Sequence, residues 1–414
     1  MPLLGLVDTA VLGHLDNPEY LGAVAIGANL FTLLYWTFGF MRMGTTGLAA
    51  QAYGRRDSFA QSALLVRSLI LAVGLGLALI LVHQPLIRLG LALMKPSPEV
   101  ATLAAEYAAI RIWSAPAVLC QYTLVGWLIG TQYPRGPMLM LIAANLLNML
   151  LDVLFVTVFG WHSQGVALAT VIAEYTAAAL GLYLVSQRLP RPLGPRAALV
   201  GRSQDYLALI RVNRYILVRT VTLLLVLAFF TAQGARQGDV ILAANAVLLT
   251  FLLLISNGLD GFANATEALV GERIGQRDHT GLLEVCRRAL FWSLTGALLF
   301  TLLFVMAGGL IISLLTSIPE VVSQAQRYLP WIWLLPLTAV WGFLLDGIFI
   351  GATRARDMQN TMLFSALLVF LPVWWLAQPL GNHGLWLAIT ALMLARAFSM
   401  GWLFIRHTRR QHWF

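Results

Sequence analysis

The sequence predicts an all-α polytopic membrane protein of twelve transmembrane helices, arranged as two parallel six-helix repeats. Three observations predict it: long apolar segments with few charges, arginines confined to alternate loops, and a repeat at a fixed offset. Of 414 residues, 59% are hydrophobic and only 11% charged, against about 25% charged in a soluble globular domain. Lipid is therefore the main solvent. The formal net charge of +9 does not point to nucleic acid, because the basic residues are scattered between apolar stretches and form no basic domain.

A span needs about 20 predominantly apolar residues. Candidate segments lie near 1–14, 22–48, 62–82, 100–130, 137–158, 165–186, 214–232, 240–270, 285–315, 321–352, 358–378 and 383–405. The first is short, about 20 Å at helical rise against a hydrocarbon core of about 30 Å. Met1 is thus expected to begin partway through a first helix truncated at its N-terminus. No basic stretch precedes the segment, so it does not read as a signal peptide. One set of loops carries Arg55 and Arg56, Arg135, a cluster from Arg188 to Arg214, Arg273 and Arg277, Arg354 and Arg356, and Arg406, Arg409 and Arg410. The other set holds little beyond Arg88, Lys95 and Arg236, with acids such as Asp16, Glu19 and Asp239. The positive set is expected to face the cytoplasm. Both termini then face it too, in a multi-pass protein of the inner (plasma) membrane.

The repeat is read from Gln51-Ala-Tyr-Gly-Arg-Arg-Asp57 against Glu272-Arg-Ile-Gly-Gln-Arg-Asp278, an offset of 221 residues. The same offset carries Arg67 to Arg288, Pro98-Glu99-Val100 to Pro319-Glu320-Val321, Gly126 and Gly130 to Gly347 and Gly351, and Arg135 to Arg356. Six helices per copy is an even number, so both copies enter the membrane in the same direction, an arrangement found in secondary transporters. The expected organisation is an N-terminal six-helix lobe over 1–186, a cytoplasmic linker over 187–213 rich in proline and arginine, a C-terminal lobe over 214–405 and a cytoplasmic tail over 406–414. The repeated Gly-x-x-x-Gly reads as a helix-packing face.

Several functions are excluded by pattern. Lys95 is the sole lysine and Pro96 follows it, so the chain has no phosphate-binding P-loop and no ATPase domain of its own. No His-Glu-x-x-His or Gly-x-Ser-x-Gly occurs, no catalytic constellation is recognisable, and no cofactor is expected. Cys120 and Cys286 fall in or beside apolar segments and read as small buried hydrophobes rather than a disulfide framework. Energy must come from a gradient or a partner.

Of eighteen acidic residues, those inside apolar segments include Asp8, Asp152, Glu174, Asp260, Glu267 and Asp346. A carboxylate at the membrane centre costs about 3 kcal/mol on insertion scales, which makes each a functional candidate. The offset carries Asp8 to Phe229 and Asp152 to Val373, and Asp346 back to Val125, so the scaffold is duplicated while these acids are not. Asp8 and Asp152 each lie about 12 to 13 Å below the outer surface, counted from the adjoining loops, and Thr170 roughly 10 Å below it. Asn148 and Asp152 share a helix face. Asp8, Asn148, Asp152 and Thr170 can therefore form one all-oxygen cluster in the first lobe. Its chemistry suits a hard cation such as sodium, and its carboxylates equally suit a proton. The alternative is that these groups only tie helices together. Glu174, one turn beyond Thr170, reads as network support or part of transport. Asp260 and Asp346 read as a second-lobe polar site, and Glu267 as close enough to a loop to reach the interface. No metal is expected beyond sodium at the cation cluster. Aromatic residues, thirteen tryptophans among them, fit interfacial belts and the lining of a cavity for amphipathic or cationic compounds.

These residues carry a family resemblance over essentially the whole chain. Val7-Asp8-Thr9-Ala10-Val11-Leu12-Gly13-His14 resembles the first-helix signature of multidrug and toxic compound extrusion (MATE) transporters. Asn145-x-x-Asn148-x-x-x-Asp152 and Gln51-Ala-Tyr-Gly54 are similar to motifs of the same family. The runs 42–48, 169–175 and 345–354 resemble its DinF-like branch. The resemblance implies an antiporter of two six-helix lobes that exports organic compounds against inward proton or sodium flow, with a cation site at the positions of Asp8, Asn148, Asp152 and Thr170. It implies coupling through bending of the first helix. It also leaves a second-lobe cation route open, because the helix-ten carboxylate of the sodium-driven NorM-like branch resembles Asp346. A small organic substrate and membrane lipid are the expected partners of a chain acting as a monomer. The alternative is a lipid-linked oligosaccharide flippase of the same superfamily, which the mainly acidic charge expected inside the spans disfavours.

Overall fold

The computed structural model describes residues 18–94, 96–189 and 195–413. Among them there is no strand, and eleven helices are long and apolar enough to cross a membrane. They match eleven of the twelve expected segments; the first, 1–14, lies outside the described residues. The helices are α1 (Pro18–Thr37), α2 (Phe40–Gly54), α3 (Ser58–Leu81), α4 (His83–Met94), α5 (Pro98–Arg111), α6 (Ala115–Gly130), α7 (Arg135–Val153) and α8 (His162–Arg188). They continue with α9 (Arg196–Val200), α10 (Ser203–Arg236), α11 (Asp239–Gln276), α12 (His279–Leu315), α13 (Pro319–Gly351), α14 (Ala355–Phe364), α15 (Leu371–Leu376) and α16 (Asn382–Arg409). The first three turns of α10 thus occupy residues 203–213, part of the segment read as linker.

The chain forms two compact units. Unit 1 is Met1–Ala49 with Asp57–Leu209, and unit 2 is Ala50–Arg56 with Ile210–Phe414. The repeat read from sequence recurs in the local geometry of the helix ends. Asp57 caps α3 by accepting from the Ala60 N–H at 2.9 Å, and Asp278 caps α12 by accepting from the Gly281 N–H at 2.9 Å. Before each cap stands a left-handed arginine, Arg56 at φ 55° and Arg277 at φ 57°. The Gly281 N–H, the Thr280 hydroxyl and Arg273 together hold the Asp278 carboxyl below its ordinary range. The stability this gives is present above the ordinary carboxylate pKa and is lost as pH falls through the lowered value. A second repeated turn closes α6 and α13: Tyr133 N–H donates to Leu128 O and Arg354 N–H to Phe349 O, both at 2.8 Å.

Small residues set the close packing. A Cβ at Gly126 of α6 would lie 2.5 Å from the Arg42 carbonyl oxygen on α2, and one at Gly347 of α13 would lie 2.7 Å from that of Ala263 on α11. Arg42 and Ala263 are themselves related by the offset. A Cβ at Gly351 would lie 2.5 Å from the Glu267 carbonyl oxygen, so the second Gly-x-x-x-Gly is a backbone-to-backbone contact. In unit 2 the core is aromatic, with Phe230 edge-on to Trp386 at 5.0 Å and Phe251 to Phe304 at 4.9 Å. Leucines on the opposite face of α12 are open, Leu314 being 76% exposed, as a lipid-facing surface requires.

Replacing Gly347 by leucine forces a side chain against backbone that cannot rotate away, and is expected to cost about 1–3 kcal/mol or more. Thermal unfolding of the purified protein should show a lowered midpoint for Gly347→Leu and none for Gly74→Leu, whose Cβ direction is open. Equal midpoints for the two variants would contradict this packing.

Candidate ion-coupling site

Unit 1 brings together three of the four residues expected to hold a cation. Asn148 and Asp152 stand one turn apart on α7 and are 1% and 0% exposed. Helix α7 packs on α8, where Thr170 accepts a hydrogen bond from Asn148 Nδ2 at 3.2 Å. The Thr170 hydroxyl donates to the Val166 carbonyl at 2.8 Å, which leaves its lone pairs for the amide. Asn148 Oδ1 accepts from no described residue, so a buried carbonyl oxygen is held beside Asp152. Regular α-helix ends one residue after Asp152, and Leu154–Val158 forms a π-helical turn, a feature that recurs at functional sites. Asp8 lies outside the described residues. At the repeat offset Asn148, Asp152 and Thr170 fall on Val369, Val373 and Ala391; the second copy has no equivalent group.

One turn along α8, Glu174 joins a second network. Its carboxylate accepts from Gln121 Nε2 on α6 and lies 3.6 Å from Arg111 Nη2 at the end of α5. Arg111 also donates to Ser114 Oγ, and its guanidinium sits 5.6 and 5.5 Å from the ring centres of Phe31 and Tyr35 on α1. Ser114 Oγ and the Tyr35 hydroxyl are 2.9 Å apart. Helices α1, α5, α6 and α8 are thereby tied through one ion pair.

Unit 2 is built differently. Asp346 on α13 is flanked by Arg219 on α10 and Arg396 on α16, and all three are under 10% exposed. Arg396 Nη2 donates to Asp346 Oδ2 at 2.7 Å, and Arg219 Nη2 donates to the same oxygen. Two guanidiniums on one carboxylate leave one formal positive charge. Asp260 lies exposed on α11. Glu267, expected at the interface, is 2% exposed because α13 packs across it through Gly351. Nor is the charge inside the spans mainly acidic, as expected. Arg111, Arg219 and Arg396 are buried there beside carboxylates, since an arginine is stable in such surroundings when it is paired. Each stood inside an expected span, 100–130, 214–232 or 383–405, so the rule that singled out the acids also applies to them.

A chain whose described residues are nearly all helical, with eleven apolar spans and charges paired inside them, is a multi-pass membrane protein. A family model described as MatE matches residues 1–154 and 216–376. The chain is 44% identical to DNA damage-inducible protein F of Escherichia coli K12, over 100% of this chain and 90% of that protein. It is 25% identical to the probable multidrug resistance protein NorM of Acinetobacter baylyi, over 95% of this chain and 89% of that one. A MOP superfamily transporter from Pyrococcus furiosus has the same fold, with a TM-score of 0.87 at 20% identity over 99% of this chain and 92% of that one. The chain belongs to the MATE family of membrane transporters.

Asp346→Asn leaves two buried guanidiniums facing each other and is expected to cost about 3–5 kcal/mol of stability. Replacing all three residues together, as Arg219→Met, Asp346→Leu and Arg396→Met, should recover most of the loss. A wild-type melting temperature for Asp346→Asn alone would show that the pairing is not structural.

Proposed function

We propose that this transporter is a secondary antiporter that exports small organic compounds, amphipathic or cationic, from the cytoplasm. Inward proton or sodium flow through the cluster in unit 1 drives it. The observation that carries this reading is Asp152, a carboxyl group with no exposure inside a membrane span, beside the Asn148–Thr170 pair and absent from the second copy of the repeat. Holding a carboxylate there costs about 3 kcal/mol on insertion scales, and loading it with a cation removes the charge. Asn148 and Thr170 supply the neutral oxygens that a hard cation accepts; a proton needs the carboxylate alone. Asp8 is the second carboxylate of this reading. The name of the NorM relative, a probable multidrug resistance protein, agrees with organic substrates.

Antiport follows when cation and substrate favour different conformers, because a ligand that binds both equally shifts nothing. The ion gradient is the energy source, a monomer suffices, and neither a cofactor nor an ATPase domain of its own takes part. The alternation of arginine-rich loops supports an inner (plasma) membrane location with both termini in the cytoplasm. A second reading, the lipid-linked oligosaccharide flippase, is favoured by one observation: the surplus positive charge of the Arg219–Asp346–Arg396 group, which suits a pyrophosphate.

In everted vesicles, an imposed pH or sodium gradient should drive uptake of a cationic dye by the wild-type protein. Asp152→Asn and Asp8→Asn should each reduce gradient-driven uptake to background while dye binding persists. Wild-type uptake in both variants would overturn the proposal, and the gradient that works identifies the ion.

A further inference from the structure

Four arginines from two separate elements of unit 2 line a single cleft of about 700 Å³. Arg211 and Arg214 stand on α10 at the start of the span Leu209–Arg236, and Arg354 and Arg356 follow the end of the span Pro319–Gly351. The turn that carries Arg354 and leads into α14, where Arg356 stands, is fixed by its backbone. Thr353 takes φ 55°, its N–H donates to Ile350 O at 2.8 Å, and Gln51 Nε2 donates to Gly351 O at 3.0 Å. The acid in the lining, Asp357, is engaged by His407 Nε2 at 3.0 Å. Arg354 donates to the His412 carbonyl, and Arg214 to the Tyr215 hydroxyl at 3.0 Å. Arg211 and Arg356 make no ion pair among the described residues and are exposed. A cleft with four guanidiniums, one carboxylate already engaged and neutral donors at Thr353 and Asn360 is shaped for an anion with several acceptor oxygens.

We propose that this cleft binds a phosphoryl group, presented by the headgroup of an anionic phospholipid. Guanidinium forks match the oxygens of a phosphate. The cleft opens where two spans end, the depth at which headgroups lie, and basic pockets between spans at that depth bind anionic headgroups. The site is distinct from the cluster in unit 1 and does not depend on the antiport reading. A soluble phosphate carries the same group, so the test separates the two sources.

The full-length protein in detergent is titrated with phosphatidylglycerol, with phosphatidylcholine of the same acyl chains, and with inorganic phosphate, and bound adducts are counted by native mass spectrometry. Wild-type protein should retain phosphatidylglycerol about tenfold or more over phosphatidylcholine, with a preference that weakens as salt is raised. The Arg211→Gln/Arg356→Gln variant should lose that preference at an unchanged melting temperature, and Arg211→Lys/Arg356→Lys should keep part of it. Equal retention of phosphatidylglycerol by the glutamine variant would overturn the assignment. So would adducts of inorganic phosphate without phosphatidylglycerol, which would give the cleft to a soluble ligand.

Discussion

A charge inside a hydrocarbon-facing bundle has to be neutralised nearby, and that constraint organises the interior of this transporter. Glu174 meets Arg111 at 3.6 Å in unit 1, and Asp346 meets Arg219 and Arg396 in unit 2. Each arrangement joins helices distant in sequence, so the cost of burying an ion becomes a condition on how the helices pack. Removing one partner of such a group is far more damaging than never having had it. The Asp152 region adds an amide and a hydroxyl, Asn148 on α7 bonded to Thr170 on α8. Groups of that kind can share a carboxylate with a mobile cation, whereas an adjacent guanidinium competes with one.

Duplication supplies the frame and departure from duplication supplies the sites. The capping aspartates Asp57 and Asp278, the left-handed Arg56 and Arg277, and the close contacts of Gly126 and Gly347 recur at the same offset and serve helix ends and packing. The acids buried inside the spans do not recur. Asp152 has Val373 in the other copy, and Asp346 has Val125. Two copies of one scaffold have thus acquired unlike interiors: unit 1 sets Asp152 near the Asn148–Thr170 pair and joins Glu174 to one arginine, whereas unit 2 sets two arginines on Asp346.

Much of this was legible in the sequence. Eleven spans and the repeat could be read because apolar length and a gapless offset survive without any knowledge of packing. The Asn148–Thr170 contact was accessible from helical spacing and depth alone. The arginine partners are not legible in the same way, because Arg111, Arg219 and Arg396 lie inside spans but only the fold decides which acid each one meets. Glu267 was placed at the interface by its distance from a loop, which cannot reveal that α13 crosses over it. The cleft at Arg211 and Arg354 joins elements far apart in the chain, and only the fold brings them together.

The central claim is that the Asp152 carboxyl exchanges its proton or its cation during transport. Infrared difference spectroscopy of the reconstituted protein, with Asp152→Asn as the reference, observes that carboxyl directly. The account predicts a carboxyl band, absent from the variant, that changes as pH is stepped or sodium is added and changes again when substrate binds. A carboxylate signal for Asp152 that stays constant through all three would contradict it.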